Sequence, residues 1–359
     1  MPPTQSRRQI LVAGVAATAS SMLVSAKVQG QMQKARIKIG QIGTGHAHAS
    51  KLGVYRALDE YEVVGVAEPD EKLRARGEKQ AVYKDLPWMT SEQLLDVPGL
   101  QAVLVETQVH SSLKTAEQGI AAGMHVHLDK PAGESLPQYQ RLLKAAEAKK
   151  LLVQMGYMFR YNPAVLLLKK FLAEGWLGDI FEVHTVMSKV VGGGERDNLA
   201  QFPGGIMFEL GCHVIDLVVG TLGRPDRVQA FTRHSSPRQD KLVDNMLAVL
   251  EYKNAVASVK SSAVEVEGGR RRHLVVCGTA GTFHIQPLDA PNVIYSLDRD
   301  RGEYKKGTHE IKFGNYPRYV GDAKDMAAII RGEKASDYSY AHDLAVQETV
   351  LLASGVSID

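Results

Sequence analysis

The chain has 359 residues, enough for two domains, and 43 basic against 40 acidic side chains leave a formal net charge of +3. That balance sets aside nucleic acid and anionic membranes as expected partners. Only two cysteines are present, Cys212 and Cys277, each in an apolar segment. They read as buried free thiols, with a single disulfide as the alternative.

In chain order, the first feature is the leader SRRQILVAGVAATASSMLVSA, residues 6–26. Arg7 and Arg8 form a basic n-region ahead of a mild apolar run, too diluted by Gly and Ser for a membrane span. Small residues up to Ala26 suit signal cleavage, and adjacent arginines suggest twin-arginine export to the periplasm as a folded protein. A basic tail or transit peptide, with a cytoplasmic or organellar protein, is the alternative. Residues 1–33 are therefore expected to be signal and linker, with no stable membrane anchor.

From Ala35 to about Tyr157, apolar strand-like runs at 36–43, 62–68, 101–107, 125–130 and 151–157 alternate with helical patterns, among them 110–124 and 135–150. Continuous apolar strands separated by helices predict an α/β, doubly wound parallel sheet, placed at 34–157. Beyond Asn162 the rhythm changes to a few helices and then strands in series, at 226–234, 245–252, 255–266, 272–279 and 281–287. These predict a second, α+β domain over 158–359 with a largely antiparallel open sheet. A final helix at 341–355, closed by Gly355, is free to pack back on the first domain. Arg270, Arg271 and Arg272 read as the decoration of a hairpin end, an acidic substrate group being the second possibility.

Gly43-Thr44-Gly45 ends the first strand and opens a helical pattern, the context of a dinucleotide-binding loop. Gly43 permits the tight turn, Gly45 lets the backbone approach a pyrophosphate, and the helix N-terminus attracts its charge. The fingerprint's third glycine is absent, its place taken by His48. Glu68 stands 23 residues after Gly45, at the end of the second strand. A carboxylate there accepts from ribose hydroxyls and favours NAD, while Lys72 and Arg74 keep NADP open. His46 and His48 border the loop, and His110 opens the helix after the 101–107 strand, on the ligand-binding face. No His/Cys cluster has metal-ligand spacing, so no metal is expected.

Two later motifs carry chemistry. LDKPAG places Asp129 and Lys130 at the end of the fifth strand. GGIMFELGCHVIDL places Glu209, His213 and Asp216 at i, i+4 and i+7, one face of a regular helix. Together with the GTG loop, Thr107-Gln108-Val109-His110, FRYNP at 159–163 and GDAKDMAAIIRG, the chain resembles the glucose–fructose oxidoreductase/inositol dehydrogenase/MocA family. The resemblance implies Lys130 as catalytic lysine and His213 as general base, with Glu209 where relatives more often carry Asp. Asp129 stands where they more often carry Glu, in a positional role. It also implies cofactor contacts from Thr107, Asp129 and Lys130, and a dimer or tetramer through the open sheet. Substrate hydroxyls are expected at Arg160, Tyr161 and Asp216, a domain-interface role being the alternative for Arg160 and Tyr161.

The expected chemistry is hydride transfer to or from a secondary hydroxyl of a sugar, glycoside or cyclitol. Neutral imidazole at His213 takes the hydroxyl proton, Glu209 steadies the ring, and Lys130 faces the developing negative charge. An exported protein must carry its NAD out with it, which favours a tightly held cofactor. It equally suits a redox-neutral glycosidase working by transient C3 oxidation and elimination. A non-catalytic cofactor-binding protein is the third reading.

Overall fold

The structure is a computed structural model that describes residues 34–358. The leader, its twin arginines and the cleavage point at Ala26 lie outside the described residues. Fourteen strands are described: β1 Ile37–Ile42, β2 Tyr61–Ala67, β3 Trp88–Met89, β4 Ala102–Val105, β5 His125–Leu128, β6 Val153–Met155, β7 Ile180–Ser188, β8 Arg227–Arg233, β9 Asn245–Glu251, β10 Val256–Ser262, β11 His273–Gly278, β12 Gly281–Ile285, β13 Asn292–Leu297 and β14 Gly307–Lys312.

The first six form one wholly parallel sheet in the order β3-β2-β1-β4-β5-β6. This is the doubly wound order, whose switch point lies between β1 and β4. Buried side chains on both faces, Ile39, Leu104 and Val103 among them, explain the continuous apolar runs. Helices Val109–Ala121 and Leu136–Ala148 supply crossovers, the second capped by Ser135, whose hydroxyl accepts from the Gln138 N–H.

The second sheet runs β14-β13-β12-β11-β7-β10-β9-β8, antiparallel except for the central β7/β10 pair. Its inner face alternates cleanly: Met246, Ala248 and Leu250 of β9 are buried while their neighbours are half-exposed. β3, β7, β13 and β14 were not among the expected strands. β3 is too short to show a period, and β14 is an exposed edge with scarcely an apolar face.

Two C-terminal helices return to the first sheet. In Val320–Ile330, Ala323, Met326 and Ala327 pack with Ile37, Leu52, Tyr55 and Tyr61. In Tyr340–Ala353, the Tyr340 hydroxyl donates to the Leu151 carbonyl at 2.6 Å. Gly355, at φ +74°, lets the Val356 N–H close back on the Leu351 carbonyl at 3.0 Å, a Schellman cap. No disulfide joins the cysteines: Cys212 is buried and Cys277 half-buried, both free. Arg271 and Arg272 pair with Glu265 and Asp289 at the turn before β11.

Candidate functional site

At the end of β1 the chain turns sharply through Gly43, whose φ is +92°. A Cβ on Gly43 would lie 2.5 Å from the Thr107 backbone nitrogen, and one on Gly45 3.0 Å from the Gln108 and Leu73 side chains. Gly43 is therefore required by torsion and by close approach to backbone, whereas Gly45 is favoured by close packing alone. Thr44 donates to Glu68 Oε2 from its N–H at 2.6 Å and from its hydroxyl at 2.9 Å. The loop and the carboxylate at the end of β2 are thus one unit.

Three clefts follow the carboxyl ends of the parallel strands. One of about 500 Å³ is lined by Glu68, Arg74, Thr90 and Lys114. One of about 280 Å³ lies over Thr44, Gly45, Arg76 and Gln80. The third, about 240 Å³, is bounded by Gly45, His46, His110, Phe202 and Glu209. A glycine cradle that any Cβ would fill, an acid at the second strand and clefts on both sides fit a dinucleotide. Arg74 beside Glu68 accommodates NADP as well as NAD. Helix Leu52–Ala57 is preceded by a tight 3₁₀ turn, Ala49–Lys51, so the loop is not followed by a long regular helix.

Lys130 meets the third cleft through Glu209, which lines it. Its side chain is buried, and Nζ donates to the Glu209 carbonyl at 2.8 Å and to Glu209 Oε1 at 2.9 Å. Burial opposes its charge, but Glu209, Cys212 and Asp129 together outweigh burial and raise the ammonium above the usual lysine range. Burial likewise works against the Glu209 carboxylate, which Lys130 and Lys189 nevertheless hold down at about 2. His213 is 2% exposed, and its Nδ1 is buried without a hydrogen-bond partner. Burial, then Lys130 and His48, keep its imidazole well below the ordinary range, hence neutral.

Glu209 does not hold the ring of His213, as the i, i+4 spacing led one to expect. Residues Met207–Gly211 form a π turn ahead of helix Cys212–Leu222. The wider turn alters the register and directs the carboxylate to Lys130. Asp216 belongs elsewhere too. Arg160 donates to Asp216 Oδ1 at 2.6 Å and to Asp343 Oδ1 at 2.6 Å, all three buried. None of the three lines a cleft over the parallel strands, so in place of the expected substrate contacts Arg160 and Asp216 form a buried ion cluster. Tyr161 donates to Asp325 Oδ2 at 2.6 Å, joining the second-domain entrance to helix Val320–Ile330.

Beneath the lysine lies a charge cluster that sequence reasoning missed. Lys51 is buried with Nζ 2.6 Å from Asp129 Oδ2, 3.0 Å from Glu106 Oε1 and 2.9 Å from His127 Nε2. His46 places Nδ1 3.1 Å from Asp129 Oδ2 and Nε2 3.0 Å from the Lys130 carbonyl. Although burial pushes His46 down, Asp129 and Glu106 raise it to about 9. Asp129 in turn accepts the Lys130 N–H at 2.7 Å. Burial disfavours its charge, yet His46 and Lys51 hold its carboxyl well below the usual range. His46, His48 and Asp129 have ligand atoms within 4.8 Å of one another, a spacing that suits a cation. The ammonium of Lys51 already supplies that positive charge. His110 is exposed at the mouth of the third cleft, and Thr107 lies behind Gly43.

Residues 37–157 match the family described as oxidoreductase, NAD-binding Rossmann fold, and residues 165–284 match the GFO/IDH/MocA C-terminal domain. The chain belongs to the GFO/IDH/MocA oxidoreductases. As a member it is an oxidoreductase whose first domain holds NAD or NADP. It is 29% identical over 225 residues to the uncharacterized oxidoreductase YhhX of Escherichia coli, covering 61% of this chain and 63% of that one. It is 23% identical over 291 residues to the scyllo-inositol 2-dehydrogenase (NADP(+)) IolW of Bacillus subtilis, covering 78% and 75%. The solved structure of GenD2 from gentamicin A biosynthesis, in complex with NAD, superposes with a TM-score of 0.74 at 20% identity, covering 91% of this chain and 96% of that one.

Proposed function

We propose that the protein oxidises or reduces a secondary hydroxyl of a sugar, glycoside or cyclitol with tightly held NAD(P). The carrying observation is that Glu209, in the lining of the Gly45–His110 cleft, holds the buried Lys130 Nζ at 2.9 Å, with the buried His213 and its unpartnered Nδ1 four residues further on. When bound, the nicotinamide accepts or returns the hydride. Gly43, Thr44, Gly45 and Glu68 would hold the dinucleotide, with Thr107, His110 and Asp129 along its course. His213, neutral at pH 7, takes the hydroxyl proton as the carbonyl forms. Lys130, kept protonated by Glu209, faces the oxygen on which negative charge grows. Asp129, His46 and Lys51 fix the backbone of Lys130 from below.

The leader carries a second proposal, export of the folded, loaded protein to the periplasm, and the open sheet a third, a dimer or tetramer. Protein purified without residues 1–26 and dialysed extensively tests the cofactor. Acid release of near-stoichiometric NAD(H) or NADP(H), followed by a change in its absorbance on adding a polyol, is the expected result. Empty protein that gains no dinucleotide fluorescence on titration sinks the reading. Release of aglycone from an aryl glycoside without net reduction would instead identify a redox-neutral hydrolase.

A further inference from the structure

Oxidation of a carbinol liberates one proton besides the hydride, and that proton must reach water. His213 is buried, so its ring needs a second group to exchange with. Three rings surround it: Phe159 with centroids 5.7 Å away, His48 at 5.9 Å and Tyr157 at 6.2 Å. Phe159 has no proton to move, and burial holds the Tyr157 hydroxyl well above its ordinary value. His48 differs from both. Its side chain is 17% exposed, and its Nδ1 lies 3.3 Å from Asp129 Oδ1. It also occupies the place of the fingerprint's missing third glycine, where a side chain is not needed to bind phosphate.

We propose that His48 carries the proton between His213 and solvent, with Asp129 as its fixed counter-charge. The inference rests on the hydroxyl-oxidation reading above. In the oxidative direction the substrate O–H bond breaks and a proton bonds to His213. That N–H bond then breaks as a proton bonds to the His48 ring, directly or through one water, and His48 gives a proton to solvent from its exposed edge. Asp129 stays ionised throughout, because Lys51 and His46 hold it so. In the reductive direction each transfer reverses, and no oxidant beyond the nicotinamide is required. The charged and titratable groups facing the pair are Lys130 and Asp129 at the end of β5, His46 in the loop, Arg272 from the second sheet, and the Tyr157 and Tyr319 hydroxyl-bearing rings.

The test compares wild type, His48→Gln and His48→Gly, each loaded with NAD. Nitrogen-15 spectra of histidine-labelled protein report hydrogen bonding and tautomer at each ring nitrogen, whether or not a substrate is known. The His213 signals should move in His48→Gln while the NAD affinity and the circular dichroism stay unchanged. With a polyol that wild type turns over, His48→Gln should lose about tenfold in kcat with a larger solvent isotope effect, and added imidazole should restore His48→Gly. A merely structural histidine gives no imidazole rescue. Unmoved His213 signals, or an unchanged kcat and pH profile, overturn the relay and leave the oxidoreductase reading standing. If wild type turns over no polyol yet the His213 signals move, the coupled pair is supported and the hydroxyl-oxidation reading fails.

Discussion

Glu209 reaches Lys130 with the full length of its side chain. Shortening the side chain withdraws the carboxylate by about 1.5 Å, the length of one C–C bond, from an ammonium now 2.9 Å away. Glu209→Asp is expected to lower kcat about ten- to a hundredfold, because ångström misplacement of a catalytic group is felt on that scale. The cofactor dissociation constant should not change, and steady-state kinetics beside a fluorescence titration separates the two. The motif Asp129-Lys130 stood out in the sequence through its resemblance to the family's lysine motif, since a lysine at a strand end by itself reads as a solvated surface charge. Lys51 did not. A lysine in a helical pattern reads as a solvated surface charge, and its burial arises only because the ends of β4 and β5 bring Glu106 and Asp129 beside it.

Among the elements, the π turn at Met207–Gly211 and the helix Tyr340–Ala353 decide the geometry of the site. The sequence MFELG carries no mark of a wide turn, so the i, i+4 reading assigned Glu209 to the wrong partner. The parallel strands were read correctly because burial on both faces leaves unbroken apolar runs; the two-residue β3 left no such trace. The final helix was also legible, from its period and its glycine, but its task was not. Gln347 donates to the Gly133 carbonyl at 2.6 Å and accepts from the Ala132 N–H at 3.1 Å, clamping the segment just after Lys130. Gln347→Leu leaves two buried backbone groups unpaired, at a cost of about 1–3 kcal/mol each. The expected outcome is a lower melting temperature and a lower kcat with unchanged cofactor affinity, read by calorimetry and kinetics.

For the molecule as a whole, the buried histidines set a stability maximum near neutrality. His46, raised to about 9, contributes fully below its unfolded value near 6.5 and loses that contribution as pH climbs to 9. By linkage that loss is at most about 3 kcal/mol. On the acid side, burial and neighbouring cations hold His127 near 3, and burial holds His273 near 4. The unfolded chain therefore binds more protons than the folded one below 6.5, and stability falls as pH drops. Glu209, at about 2, adds a further loss below its unfolded value near 4.3. Thermal melts from pH 4 to 9 should peak between 6 and 7. A plateau extending to pH 9 would remove His46 from the account.

The clamp from Gln347 has a consequence for biogenesis. Lys130 lies in the first domain, yet the support for its loop comes from Gln347, 214 residues after the Gly133 carbonyl it holds. During synthesis the parallel sheet emerges first and can fold early, but the lysine segment stays unbraced until helix Tyr340–Ala353 has been made. A product lacking that helix would leave the Ala132–Gly133 segment without its brace, whatever the state of its first domain.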